Sequence, residues 1–187
     1  MRDLYDEARA DDGYIMNLVR VWAWRPNVFA AFENARTVLR SQTSISNREI
    51  AVLNAATAAC RGDAYCAIAW GARVAELADK DTAGALLRGE EPPALSDRET
   101  ALARWARAVT RDPNAVLPQD VDALRASRLS DREIVEATMF VAFRLAFTTV
   151  NSALGAQPDR QLADETPAAV LRSVTFGRTV AETPSAT

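Results

Sequence analysis

Apolar residues recur at three- and four-residue intervals along almost the whole chain, the period of helices with one buried face. Strand-like alternation bounded by turn residues is hard to find. The pattern predicts helices over about 14–21, 26–40, 47–60, 63–79, 97–110 and 118–127. A long helix from about 131 to a stop at Gly155 and a last one over 164–175 follow. Pro26 and Pro118 sit where a fixed φ suits a first helical turn. The clearest loop contains Gly84 and Gly89-Glu90-Glu91-Pro92-Pro93, and Asp112-Pro113-Asn114 marks another break.

Three of these starts carry one signal. Ser46-Asn47-Arg48-Glu49, Ser96-Asp97-Arg98-Glu99 and Ser130-Asp131-Arg132-Glu133 are each preceded by Ile or Leu. In this capping box the Ser hydroxyl accepts the amide three residues on, and the Glu reaches back to the Ser amide. Asp63, after the Arg61-Gly62 break, caps a fourth start. The expectation is an all-α protein of about eight or nine helices in one domain, residues 1–178. Residues 179–187 read as a disordered tail.

Composition narrows the function. The chain has 187 residues, a net charge of −3, a single lysine (Lys80) and Ala at about a fifth of its positions. The acidic balance speaks against nucleic acid and anionic membranes as partners. No apolar run approaches the ~20 residues that span a bilayer, and the acidic N-terminus is not a signal peptide. These readings point to the cytoplasm. There is no histidine. That removes Ser-His-Asp and Cys-His pairs, a His general base and His metal ligands, and no metal-ligand cluster or phosphate loop is present. Neither a metal nor another cofactor is expected.

The densest chemistry lies in Cys60-Arg61-Gly62-Asp63-Ala64-Tyr65-Cys66-Ala67-Ile68-Ala69-Trp70. With Asp63 as cap, Cys66 falls in the first helical turn, where free amides and the helix dipole stabilise a thiolate. The Asp63 carboxylate opposes that charge. Asp63, Cys66 and Trp70 share one helix face, with Tyr65 to the side. They line a small pocket, or Asp63 caps while Cys66 and Trp70 pack the core. On an unbroken helix Cys60 and Cys66, six residues apart, would be about 9 Å apart along the axis, beyond the ~7 Å Cα limit for a disulfide; the break at Gly62 could allow a bridge, but only by folding the chain sharply at Arg61-Gly62 and straining the cap at Asp63. Both are expected as thiols, with Cys60 a candidate second thiol. Arg144 interrupts the apolar run 139–150. It needs a carboxylate, for which Glu136 is a candidate, or an anionic ligand, unless it lies at an interface or reaches back to solvent.

At this cluster the chain resembles the AhpD-like, or carboxymuconolactone decarboxylase-like, superfamily of helical proteins. The resemblance runs from Trp22-Ala23-Trp24-Arg25-Pro26, through Ile45-Ser46-Asn47-Arg48-Glu49 and Asp63–Trp70, to Leu129–Glu136 and Asn151-Ser152-Ala153-Leu154-Gly155. The peroxidase branch carries C-x-x-C, a His four residues later and a Glu about twelve residues before. In that register Cys66 holds the second Cys position, Asp63 the first, Trp70 the His position and Ala51 the Glu position. The resemblance implies the AhpD-like fold, a pocket beside Tyr65 and Cys66, and a homo-oligomer, a dimer or larger.

Three functions follow as expectations. The first is peroxidase-type redox chemistry through Cys66, with an external thiol as reductant. The second is a cofactor-free lyase or isomerase acting on a small, partly apolar acid, with Asp63 moving a proton, Tyr65 or Cys66 as partner, and Trp70 and Arg144 in the substrate pocket. The third is a non-catalytic small-molecule-binding protein.

Overall fold

The three capping boxes form as expected and set the frame of the molecule. In each, the Ser side chain accepts the Glu amide and the Glu side chain takes the Ser amide. The residues before them, Ile45, Leu95 and Leu129, are buried beneath the helix starts. The boxes are also joined to one another. Arg48 donates to Glu99 Oε1 at 2.6 Å, and Arg98 donates both to Glu49 and, at 2.6 Å, to Glu133. Two of the three motif arginines, Arg48 and Arg98, thus tie capping carboxylates of different helices together, while Arg132 pairs with Glu136 on its own helix.

The computed structural model describes residues 2–185, and among these the ordered elements are helical, with no strand. In order they are α1 (Arg2–Asp12), α2 (Asn17–Trp22), α3 (Pro26–Ser41), α4 (Asn47–Arg61), α5 (Ala64–Leu77) and α6 (Lys80–Leu87). Then come α7 (Asp97–Arg111), a 3-10 turn (Pro113–Ala115), α8 (Pro118–Ala126), α9 (Asp131–Ala153), α10 (Arg160–Glu165) and α11 (Ala168–Ser173). Residues 1, 186 and 187 lie outside the described residues, so the end of the expected tail does too.

The core is built around α4. Its residues from Glu49 to Ala58 are all buried, and it packs against α5, α7 and α9. Its run of Ala lets those neighbours approach closely. By contrast α3, though 16 residues long, has no buried residue. It lies on the outside of α9, where Phe29 and Phe32 meet Trp22 at ring separations of 5.3 and 5.6 Å, and Trp22 stacks on Phe147 at 5.6 Å.

Several expectations change. The acidic segment at the N-terminus forms α1. Gly84, read as loop, lies inside α6, which Asp79 caps through the amides of Asp81 and Thr82. A Cβ at Gly84 would sit 2.9 Å from Ser173 Oγ, so the glycine serves close packing against α11. The single helix expected over 164–175 is two, parted at Pro167. The helix expected over 14–21 starts later, at Asn17. In the expected tail, Ala181 N–H donates to the Pro158 carbonyl at 2.9 Å, and Ser185 bonds Gln161 and Asp159.

Candidate functional site

The site begins at the turn between α4 and α5. Gly62, in the left-handed region with φ of 74°, ends α4 and turns the chain into Asp63. Asp63 caps α5, its Oδ1 accepting the Cys66 amide at 3.3 Å. Cys66 therefore stands in the first turn of α5, as the cap arithmetic predicts. The residue is only 2% exposed.

Arg144 reaches this turn from the middle of α9. It is 4% exposed, so it neither snorkels nor remains in solvent. Its Nη1 donates to Cys66 Sγ at 3.4 Å and its Nε to Asn54 Oδ1 at 3.0 Å. Asn54 is itself fixed, donating through Nδ2 to the Ile50 carbonyl at 2.9 Å. The guanidinium lies 4.9 Å over the Trp70 ring and 5.3 Å over the Phe147 ring. Glu136, the candidate partner two turns earlier, is engaged elsewhere, with Thr43 and Arg132 at 2.7 Å each.

The charges around Cys66 oppose one another. Burial pushes the thiol up, Arg144 pulls it down and Asp63 pushes it up again, leaving it at about 12. Burial likewise raises Asp63, against the hydrogen bonds from Cys66 and Tyr65 and the charge of Arg144. Asp63 Oδ2 is buried and meets no hydrogen-bond donor at ordinary geometry. The resting arrangement is a protonated thiol flanked by a buried carboxylate that can take a proton and a buried cation that can hold a thiolate.

The structure thus brings together Asp63, Cys66, Trp70 and Arg144. Tyr65 does not join them. Its hydroxyl donates to Asp159 Oδ2 in a separate buried cluster, where Asp159 also accepts the Asn17 amide at 2.9 Å. Burial, with the Asp159 charge second, raises the Tyr65 phenol well above the ordinary range. Cys60 is also apart. It is a free thiol at the end of α4, its Sγ 3.7 Å from the Arg107 carbonyl, and Cys66 is free as well. Ala51, at the position of the family's Glu, is fully buried with no chemistry to offer, and Glu49 serves its cap and Arg98.

Beside Arg144 a pocket of about 110 Å³ opens between α3 and α9. Arg36, Arg40 and Arg144 line it together with Glu33, Thr37 and Asn54. Sequence reasoning missed Asn54, Arg36 and Arg40. Asn54 had one signal, a lone amide in the apolar run of α4. Arg36 and Arg40, four residues apart on α3, carry no local signal that marks them as pocket residues. Among the described residues no group of three or more Cys, Asp or Glu is placed to hold a metal ion, and no helix is long and apolar enough to cross a membrane.

No model of a known protein family matches the sequence, and no curated protein matches it either. Solved structures do. A peroxidase-related protein of uncharacterized function from Silicibacter sp. TM1040 superposes with a TM-score of 0.76 at 20% identity, covering 86% of this chain and 85% of that one. A peroxidase-related protein from Ralstonia eutropha JMP134, described as an alkylhydroperoxidase AhpD core, gives 0.74 at 22% identity, covering 87% and 88%. The debrominase Bmp8, in complex with 2,3,4-tribromopyrrole, gives 0.73 at 14% identity, covering 92% and 89%. The likeness is one of fold: this chain has the all-helical AhpD-like fold that its sequence resemblance implies.

Proposed function

We propose that the protein is a thiol-dependent oxidoreductase of peroxidase type that works through Cys66 alone. The observation that carries this reading is the placement of Cys66 Sγ against the buried Arg144 guanidinium, on the turn capped by Asp63. Two structures of the same fold are peroxidase-related, and a third is a debrominase, which supports redox chemistry on a small substrate.

Each residue has a role. A thiol held at about 12 is protonated at neutral pH, so its proton must leave as the sulfur attacks. Asp63 takes that proton. Arg144 and the free amides of the first turn of α5 hold the negative sulfur. The sulfur attacks the outer oxygen of a hydroperoxide and the O–O bond breaks. The alkoxide leaves as the alcohol with the proton from Asp63, and Cys66 becomes a sulfenic acid. One external thiol then displaces water to give a mixed disulfide, and a second releases Cys66 and leaves as the external disulfide. Cys60 has no place in this cycle. A reducing compartment such as the cytoplasm supplies the thiols. Trp70 orients Arg144 through its ring face.

The lyase or isomerase reading loses one of its partners, because Tyr65 is committed to Asp159. A homo-oligomer belongs to the proposal as well. Trp24 is 78% exposed, and Val135 and Met139 lie open on the outer face of α9, which a single copy does not bury all round. The test of the redox reading is trapping with dimedone after one equivalent of hydroperoxide. The adduct is expected on Cys66 and not on Cys60 by peptide mass spectrometry. A protein that loses its peroxide without an adduct or disulfide at Cys66 contradicts the reading.

A further inference from the structure

We propose that the pocket between α3 and α9 is an anion subsite, and that the substrate presented to Cys66 carries a carboxylate on a short, partly apolar stem. The inference rests on the thiol reading above and names the substrate class for the same site.

Charge is the first argument. Arg144 is buried, yet it has no carboxylate partner among the described residues. Its Nε and Nη1 serve Asn54 and Cys66, while its Nη2 makes no hydrogen bond to the described residues. Asp63 acts on Arg144 through its charge without forming an ion pair, and the guanidinium's hydrogen bonds go to neutral groups, so a buried cation so placed is costly to desolvate and is relieved by an anion. Arg40, lining the same pocket, has no ion pair among the described residues and rests 5.9 Å from the Trp70 ring. Burial and the nearby charges of Arg36 and Arg73 make its cation less comfortable still. Glu33 is the one carboxylate in the pocket lining, and it is paired with Arg36 at 2.5 Å. Three guanidinium groups thus face one carboxylate.

Size and shape are the second argument. The pocket offers about 110 Å³, room for a carboxylate and a short stem. Guanidinium forks match the two oxygens of a carboxylate. The remaining walls are Ile50, Phe140 and Phe143, which suit an apolar stem. Cys66 does not itself line the pocket, but the Arg144 that does line it touches Cys66 Sγ, so an acid bound there shares the guanidinium with the sulfur.

The test is the alkylation of Cys66 in the intact protein by iodoacetate and by iodoacetamide, followed by mass spectrometry. In both reactions the sulfur displaces iodide from the same CH2 carbon and loses its proton to solvent. The reagents differ in charge and hardly in size. The iodoacetate-to-iodoacetamide rate ratio at Cys66 is expected to exceed that of free cysteine in the same buffer by about tenfold, equivalent to about 1.4 kcal/mol. In Arg40→Gln it is expected to fall toward the free-cysteine value. Reaction with both reagents at the free-cysteine ratio overturns the anion subsite and leaves the thiol reading standing. Reaction with neither overturns the thiol reading. The subsite is then decided by thermal unfolding at fixed ionic strength. Propionate, and not propionamide, is expected to raise the midpoint of the wild type, with the rise lost in Arg40→Gln. Equal midpoints in the two additives overturn it.

Discussion

Arg144 Nη1 lies 3.4 Å from Cys66 Sγ, joining the middle of α9 to the first turn of α5 across 78 residues of sequence. No local pattern encodes that contact. It gives the thiol a buried cation in a chain that has no histidine. It also gives a buried arginine a neighbour that becomes its counterion once the thiol loses its proton.

Removing that cation shifts the thiol further up. In Arg144→Gln the rate of Cys66 alkylation at pH 9 is expected to fall about tenfold, one pKa unit of lost charge stabilisation. The pH–rate profile measures it directly. An unchanged profile means that Arg144 does not act on the sulfur.

Asp63→Asn separates the two roles of the carboxylate. Asn caps a helix as well as Asp does, so the fold is expected to hold. The like charge that pushes the thiol up is gone. Alkylation at neutral pH should therefore quicken, while hydroperoxide turnover falls by about 10²-fold or more for want of the proton acceptor. Parallel changes in the two rates would assign Asp63 a structural role alone.

Tyr65→Phe is expected to act on stability instead of chemistry. It removes the hydroxyl that donates to the buried Asp159 and costs about 1.5–3 kcal/mol, read in denaturant. Turnover per folded molecule should stay at the wild-type level. A selective loss of turnover would return Tyr65 to the catalytic group.

The joined capping boxes predict an acid-sensitive fold. Burial works against the Glu133 charge, but the Ser130 amide, Arg98 and the Ser44 and Ser130 hydroxyls outweigh it, and the carboxyl is held at about 2. Its folded value lies below the unfolded 4.5. The stabilisation is therefore fully present above about pH 5 and is lost as the pH falls toward 2. Arg98→Met should flatten the stability curve in that window, measured by urea unfolding at stepped pH.

The helix starts were legible because capping is local. Ser46, Ser96, Ser130 and Asp63 each act within three residues, and so the first-turn position of Cys66 could be counted out. α1 and α6 were not legible for opposite reasons. α1 is charged and buries only Ala8 among its described side chains, so its periodic signal is weak. α6 holds Gly84, whose meaning lies in the approach of Ser173, 89 residues away. The site divides in the same way. Asp63, Cys66 and Trp70 share a face that spacing reveals. The contacts of Arg144 with Asn54 and of Tyr65 with Asp159 join positions 90 and 94 residues apart and arise only from packing.

The central claim is that Cys66 alone carries thiol redox turnover. The most direct measurement is hydroperoxide consumption with excess dithiothreitol, compared in the wild type, Cys66→Ser and Cys60→Ser. The account predicts that Cys66→Ser loses turnover to the uncatalysed background while Cys60→Ser keeps the wild-type rate. Unchanged turnover in Cys66→Ser would contradict it.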